Sequence, residues 1–318
     1  MEEIFKLILS TLILRPYVFA FLIVYFFIAY LFFGGKRLIV YTFLAWVLAF
    51  LSEYSSIHTG FPYGDYKYTY FTQVINEESW KLGTKEIFLF GVIPFIDSLS
   101  YTFLTFIGYA LSVYIFSPII KLKNSILLAD TNNIRHSLRV AFVGAILVTF
   151  MDIIIDPIAT MGNKWFLGEI HYYNHPGIYF GVPISNFLGW FFTSFVIIFC
   201  FQQTDKFLLK GNFYNRTKIP HFKLKVPFLI LFYFGVILFN LLMTFYVSKD
   251  LNFTLLFDDR ILYGEQLLGI IGILIQVPII ILIILPIIRS HNAPSKEEIK
   301  KHLNDFPNER LRNELDNY

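Results

Sequence analysis

A single cysteine, Cys200, lies in an apolar run, which excludes an internal disulfide and a thiolate metal cluster. Charged residues make up only 15% of the 318 positions, too few to solvate a soluble protein of this length. The net charge of +3 offers no field for a nucleic-acid partner. No G-x-G-x-x-G turn opens a strand-helix unit, so the usual fingerprint of a flavin or nicotinamide cofactor is missing, and no H-E-x-x-H metal motif is present. Internal repeats and low-complexity blocks are also lacking. Apolar residues, by contrast, account for 56% of the chain, and the mean hydropathy is +0.60.

Those residues gather into seven segments, roughly 17–33, 38–52, 88–117, 140–157, 183–203, 226–247 and 267–288. Runs of about this length span a bilayer as helices. The sequence therefore predicts an all-α, polytopic transmembrane helical bundle of about seven spans, with one membrane domain over 1–290 and a charged cytoplasmic tail over 291–318. Pro16 suits the first turn of the first helix and no small-residue cleavage site follows, so this span is expected to stay as an anchor. About two-thirds of the 26 Lys and Arg fall on one side, which puts the C-terminus in the cytoplasm and the N-terminus outside the cell membrane. The stretch Pro94 to Asp97 marks a break in the long third segment. In the tail, Ser295 and Glu298 form a capping-box pattern that predicts a short solvated helix before Pro307. Aromatics reach 19%, more than two interfacial belts use, so some are expected in the interior, where compositional drift toward Phe accounts for much of the excess and an apolar, π-rich cavity for a long lipophilic ligand is the alternative.

The residues with chemistry are few. Asp152 and Asp156 lie one turn apart in VAFVGAILVTFMDIIIDPIAT, with Pro157 behind the second. An acid in a bilayer helix costs at least about 2.5 kcal/mol on insertion scales, which makes each a candidate for function. Four residues apart, they share one helical face. Two like charges that close in low dielectric disfavour double ionisation, so the pair can offer a proton donor and an acceptor together. The bland alternative, headgroup contact or a structural hydrogen bond, weighs about equally.

Two polar clusters surround this pair. One is SEYSSIHTGFPYGDYKYT, Ser52 to Thr69; the other runs from Asp152 through the Gly-, Pro- and Tyr-rich segment to Trp190. Both fall at the extracytoplasmic helix ends, so Glu53, His58, Asp65, Asp152, Asp156 and Asn186 can gather near one membrane face. The loops are too rich in Gly and Pro for plain connectors and are expected to fold back as a lid. Glu53 reads equally well as an interfacial helix end. Asp97 lies about ten residues into its segment, deeper than an interface residue should, which favours function. Asn240 fits an interhelical hydrogen bond. His171 and His175 have i, i+4 spacing, but Tyr172, Tyr173, Asn174 and Pro176 make this a loop, so no metal site is expected. Asp258 and Asp259 form an isolated pair, whereas a magnesium-diphosphate site needs facing acidic clusters; a solvated loop is the better reading. Glu265 and Gln266 are candidate late contributors to the polar face.

Taken in order, E-x4-H-T-G-x-P-Y-G-x-Y (Glu53 to Tyr66), D-x3-D-P (Asp152 to Pro157), Trp165, and Y-x-G-V-P-x-x-N-F-x-G-W (Tyr179 to Trp190) resemble the integral-membrane carotenoid biosynthesis family, over roughly residues 45–290. That family includes carotenoid 1',2'-hydratases and the bisanhydrobacterioruberin hydratase. The resemblance implies a hydro-lyase that adds water to the isopropylidene end of a long acyclic carotenoid in the lipid bilayer, without a cofactor or metal and alongside other enzymes of the pathway. The chemistry needs a proton on C2, a tertiary cation at C1 and capture by water. Asp152 and Asp156 are expected to be acid and base, with Glu53 and Asp97 next. Tyr63, Tyr66, Trp165 and Trp190 would wall the cavity and stabilise the cation with their ring faces, while His58 and Asn186 position the water. A bundle of this kind is expected to hold a slot long enough for a polyene. Two other readings use the same acids: a proton-coupled transporter or lipid-binding or carotenoid-binding protein, and a carotenoid cyclase or isomerase.

Overall fold

The structure, a computed structural model, describes residues 2–69, 86–122, 125–161, 170–214, 222, 224–247, 254–257, 260–289 and 296–307. A first helix, α1 (Glu2–Leu14), bends at Arg15 into α2 (Pro16–Phe33), which Pro16 opens from the position where a missing N–H costs nothing. Gly34, at φ 72°, separates α2 from α3 (Gly35–Thr59). Strand β1 (Tyr66–Tyr68) follows, then a hairpin of β2 (Phe88–Leu89) and β3 (Ile93–Pro94), then α4 (Phe95–Phe116). A second hairpin, β4 (Ile119–Leu122) and β5 (Ser125–Leu128), leads through the one-turn α5 (Asn132–Arg135) to α6 (Leu138–Ala159). Strand β6 (His171–Tyr173) precedes α7 (Ile184–Lys210) and α8 (Lys225–Val247). A hairpin of β7 (Thr254–Phe257) and β8 (Arg260–Tyr263) enters α9 (Gly264–Arg289), and α10 (Lys296–Asp305) ends the described chain.

Seven of these helices, α2, α3, α4, α6, α7, α8 and α9, are long and apolar enough to cross a membrane, and the chain is an all-α polytopic bundle. Their outward faces carry residues such as Ile39, Leu231, Leu238 and Ile273, exposed as lipid-facing side chains are. Helix α4 is the central one, packed against α2, α3, α6, α7, α8 and α9. It meets α6 backbone to backbone: a Cβ on Gly108 would lie 2.5 Å from the Gly144 carbonyl oxygen. Small residues allow that approach between membrane helices. Because the two helices run in opposite directions, two turns from this crossing bring Tyr101 of α4 level with Asp152 of α6.

Three expectations need correction. The second span does not stop at 52: its polar end stays helical to Thr59, where Gly60 at φ 77° provides a left-handed cap, so Glu53 and His58 are helical residues. The third span begins only at Phe95, because residues 88–94 pair as a hairpin and Pro94 cannot supply a ladder N–H. The tail helix is not solvated all round. His302, Leu303 and Phe306 are buried, the His302 ring meets the Asp130 carbonyl at 2.6 Å, and Asp305 accepts from the Asn132 N–H at 2.8 Å.

That tail covers one end of the bundle, where charges are paired in the interior. Arg135 Nε donates to Asp130 Oδ2 at 2.5 Å, and Arg37 Nε to Asp205 Oδ1 at 2.9 Å. His136 Nε2 meets the other Asp205 oxygen at 2.7 Å. Phe306 of the tail lies under the Arg135 guanidinium, 4.3 Å from ring centroid to cation. Next to this ion-pair end, Phe32, Phe33, Tyr41, Phe106, Tyr109 and Phe201 form a solid aromatic plug, each at most 1% exposed. Much of the aromatic excess is packing here, not cavity lining.

Candidate active site

At the opposite end the loops close over the helices. Strands β1 and β6 pair antiparallel, Tyr66 with Tyr173 and Tyr68 with His171. Alternation along a strand sends these four side chains inward and Lys67 and Tyr172 outward. They roof a cavity of about 130 Å³ whose walls come from α2, α3, α4, α6, α7 and α8. The turn beneath the roof is held by α7. A Cβ on Gly189 would sit 2.6 Å from the Pro62 carbonyl oxygen, so only glycine lets α7 come this near. Ser56 Oγ accepts from the Tyr63 N–H at 3.1 Å and donates to the Gly64 carbonyl at 2.9 Å, which fixes Tyr63.

Glu53, Asp97 and Asp156 all line this cavity. Glu53, 3% exposed, accepts from the Ser98 hydroxyl in the first turn of α4. The Tyr68 hydroxyl stands within hydrogen-bond reach of both Glu53 and Asp97. Burial, reinforced by the neighbouring Glu53 carboxyl, holds the Tyr68 hydroxyl well above the ordinary tyrosine range, so it remains a donor. The same two causes act on Tyr66. Asp156 accepts from Asn186 Nδ2 at 2.5 Å and from Trp190 Nε1 at 3.3 Å, with the Tyr173 hydroxyl also in reach. Asp152 is fully buried behind it and shares the same amide, Asn186 Nδ2 to Asp152 Oδ2 at 2.9 Å. Its other oxygen, Oδ1, has no hydrogen-bond partner among the described residues. Asp152 is not a wall residue: it touches the cavity through Asp156 and Asn186.

Ring faces complete the chamber. Tyr101 and Trp190 stack with centroids 4.2 Å apart and planes at 15°. Tyr63 stands 6.2 Å from Tyr101, its hydroxyl bonded to Ser52 at 2.8 Å and Thr193 at 2.9 Å. Arg15, which opens α2, is 1% exposed and committed to Glu86 by two hydrogen bonds of 3.1 and 2.8 Å. This pair fixes the segment leading to Asp97, and the Ile87 N–H donates to Thr11 of α1 at 3.0 Å.

The structure thus brings together Glu53, Asp97, Asp156, Tyr63, Tyr66, Asn186 and Trp190 around one space, with Asp152 one layer behind. It does not bring His58 there. That side chain is exposed, its ring 4.2 Å from Tyr54 and Nδ1 on the Tyr54 carbonyl at 2.7 Å. Five residues from Glu53, it points about 140° away around the helix. Asp65 is likewise exposed and pairs with Asn174 at 2.7 Å. Trp165, Asp258 and Asp259 lie outside the described residues, as does the Glu265 side chain; Gln266 stands away from the cavity. Residues missed in the sequence are Ser98, Tyr68, Tyr101, His171, Tyr173, Arg15 and Glu86. The alternating YKYT and HYY, both next to the motifs, were the available signal for the roof. The expected membrane-length slot is also corrected, because the aromatic plug fills the bundle below a cavity of about 130 Å³.

Fold and site define an integral-membrane protein with an acid-lined, aromatic-roofed chamber at one end of a seven-span bundle. The family model for carotenoid biosynthesis proteins matches residues 13–257, well over half of the chain, and the chain belongs to that family. The match takes in the first span, which the motifs alone left outside, and ends before α9. No curated protein and no solved structure matches the chain significantly.

Proposed function

We propose that this protein hydrates the terminal C=C of an acyclic carotenoid. The observation that carries the reading is that Glu53 and Asp156 meet neutral hydrogen-bond donors around one small, aromatic-walled space that Asp97 also lines. A carboxyl held by Ser, Asn, Trp and Tyr is placed to exchange protons, whereas one held by arginine is neutralised in place.

Asp156 is assigned as the acid, with Asp152 behind it sharing the Asn186 amide. The Asp156 proton passes to C2 of the isopropylidene end; the π electrons form the new C–H bond and leave a tertiary cation at C1. The stacked Tyr101 and Trp190 rings and Tyr63 turn their electron-rich faces to that charge. A water held by Glu53, Tyr68 and Asp97 gives its oxygen lone pair to C1, and Glu53 takes the water proton. Returning that proton to Asp156 resets the site, and the net change is one water added. The step oxidises nothing, so its chemistry calls for neither a redox cofactor nor a metal. The chain is taken to lie in the cell membrane with the chamber on the outer side, as the Lys and Arg distribution favours.

The test is expression in a bacterium that accumulates lycopene, beside Asp156→Asn and Glu53→Gln variants at equal protein level, with pigments read by mass spectrometry. The expected result is pigment heavier by one or two waters in the parent strain and unchanged lycopene in both variants. A product of unchanged mass but altered spectrum would mean cyclisation or isomerisation instead. Unchanged lycopene and unchanged elongated C50 precursors in every strain would overturn the enzyme reading.

A further inference from the structure

We infer that the substrate chain reaches the carboxylates sideways from the bilayer, through a seam between α2 and α8 closed by the stacked rings of Tyr17 and Phe239, and that only one chain end is inside the protein at a time. The inference rests on the hydration reading in taking a long acyclic polyene as the occupant.

Size comes first. An apolar cavity of about 150 Å³ accommodates a molecule the size of benzene. A cavity of about 130 Å³ therefore takes roughly one isoprenoid end and leaves the rest of the polyene outside. Among the described residues, several directions are closed. The β1 and β6 side chains roof the chamber, and Gly189 against Pro62 seals the α7 side. Two turns below the chamber, direct contact of Gly108 with Gly144 leaves no passage between α4 and α6. Downward, Phe21, Phe103 and Phe232 meet at 5.9 to 6.4 Å, and the aromatic plug lies beyond.

Of the sides left, the one formed by α2 and α8 is lined by apolar and aromatic residues. Tyr17, Val18 and Phe21 of α2 and Val236 and Phe239 of α8 line one side of the chamber. Tyr17, Phe21 and Phe239 keep partial exposure, whereas Glu53 and Asp156 are buried. Tyr17 and Phe239 stack at 5.2 Å with planes 19° apart. Two flat rings meeting by their faces separate at little cost when a flat conjugated chain takes the place of each ring's partner. Both helices also turn exposed apolar residues such as Ile23 and Leu238 outward, where a polyene in the bilayer would lie.

The experiment places photoreactive benzoylphenylalanine at position 17 or 239 of the full chain, a conservative change at an aromatic site, in lycopene-accumulating cells. Controls carry it at the outward-facing positions of Leu231 and Ile273. After irradiation, the purified protein is read for covalent carotenoid by its visible absorption and mass, and free pigment is read for added water. The expected result is adduct at 17 and 239 at several times the level of both controls. No adduct at 17 and 239, or equal adduct at the controls, overturns the seam whether or not pigment is hydrated. Adduct at the seam, with neither lycopene nor an elongated C50 precursor hydrated by the parent protein, upholds this route and overturns the hydration reading.

Discussion

Two sets of buried polar side chains occupy opposite ends of the same bundle. Glu53 and Arg37 represent them on a single helix, 16 residues or about 24 Å apart. At the ion-pair end, Asp130 meets Arg135 and Asp205 meets Arg37 and His136, all with little or no exposure. At the other end Arg15 and Glu86 form one further ion pair beside the chamber, but Glu53 meets Ser98, and Asp156 meets Asn186 and Trp190. Burial is similar, but the partners differ in charge, and so does the consequence. A carboxylate fixed by a guanidinium is a cross-link between elements; removing one partner strands the other charge. A carboxyl fixed by amide, hydroxyl and indole donors can hold or release a proton beside an open space. The contrast separates residues that hold the helices together from residues placed for chemistry.

Breaking each set should give opposite signatures. The largest effect is expected for Asp156→Asn and Glu53→Gln, each lowering hydration by about 10²–10⁴-fold while thermal unfolding in detergent stays within a few degrees of the parent. Asp130→Ala strands Arg135 and should cost about 3–5 kcal/mol of stability, with turnover per folded molecule unchanged. Should Asp130→Ala slow hydration per folded molecule as much as Asp156→Asn does, the contrast fails. Asn186→Leu sharpens the comparison, because this amide serves both Asp152 and Asp156. It should cost about 1–3 kcal/mol and also slow hydration, an intermediate behaviour read from the same two assays.

The smallest effect concerns pH at the ion-pair end. Burial pushes the His302 imidazole below its ordinary value of 6.5 despite Asp130 nearby. The docked ring binds fewer protons than the free one, so docking is at full strength above about pH 6.5 and weakens as pH falls through the docked value. Burial alone would raise Asp130, but Arg135, Lys225 and His302 outweigh it and hold the carboxyl at about 2. Its contribution is therefore kept until pH falls below about 4 and is lost towards 2. As pH falls below about 6.5 the tail helix should loosen while the bundle remains folded, at under about 1.4 kcal/mol per pH unit. Hydrogen exchange of residues 296–305 reads this, and protection that stays flat as pH falls would contradict it.

The seven spans were legible because apolar runs of bilayer length admit few alternatives. So were Asp152 and Asp156, since acids in such a run stand out and i, i+4 spacing sets their shared face. The partners were less visible. Ser98 and Tyr101 look ordinary in FIDSLSYTF, and Tyr68 reaches the acids only through a strand pairing across about a hundred residues of chain. His58 was overread because adjacency to a motif in sequence says nothing about which way a helical side chain points. Arg37 and Arg135 count among the Lys and Arg of the more basic side, and only their pairing with Asp205 and Asp130 shows that they are interior residues. The tail was read as solvated for the same reason: His302 and Phe306 carry no periodic signal that would distinguish a docked turn from a free one.

The most direct measurement supplies lycopene to membranes containing the protein in water labelled with oxygen-18, under unlabelled air, and weighs the product. The account predicts a hydroxylated carotenoid whose new oxygen is entirely labelled, formed by the parent and lost in Asp156→Asn. A product carrying unlabelled oxygen, or labelled product formed equally well by Asp156→Asn, would contradict it.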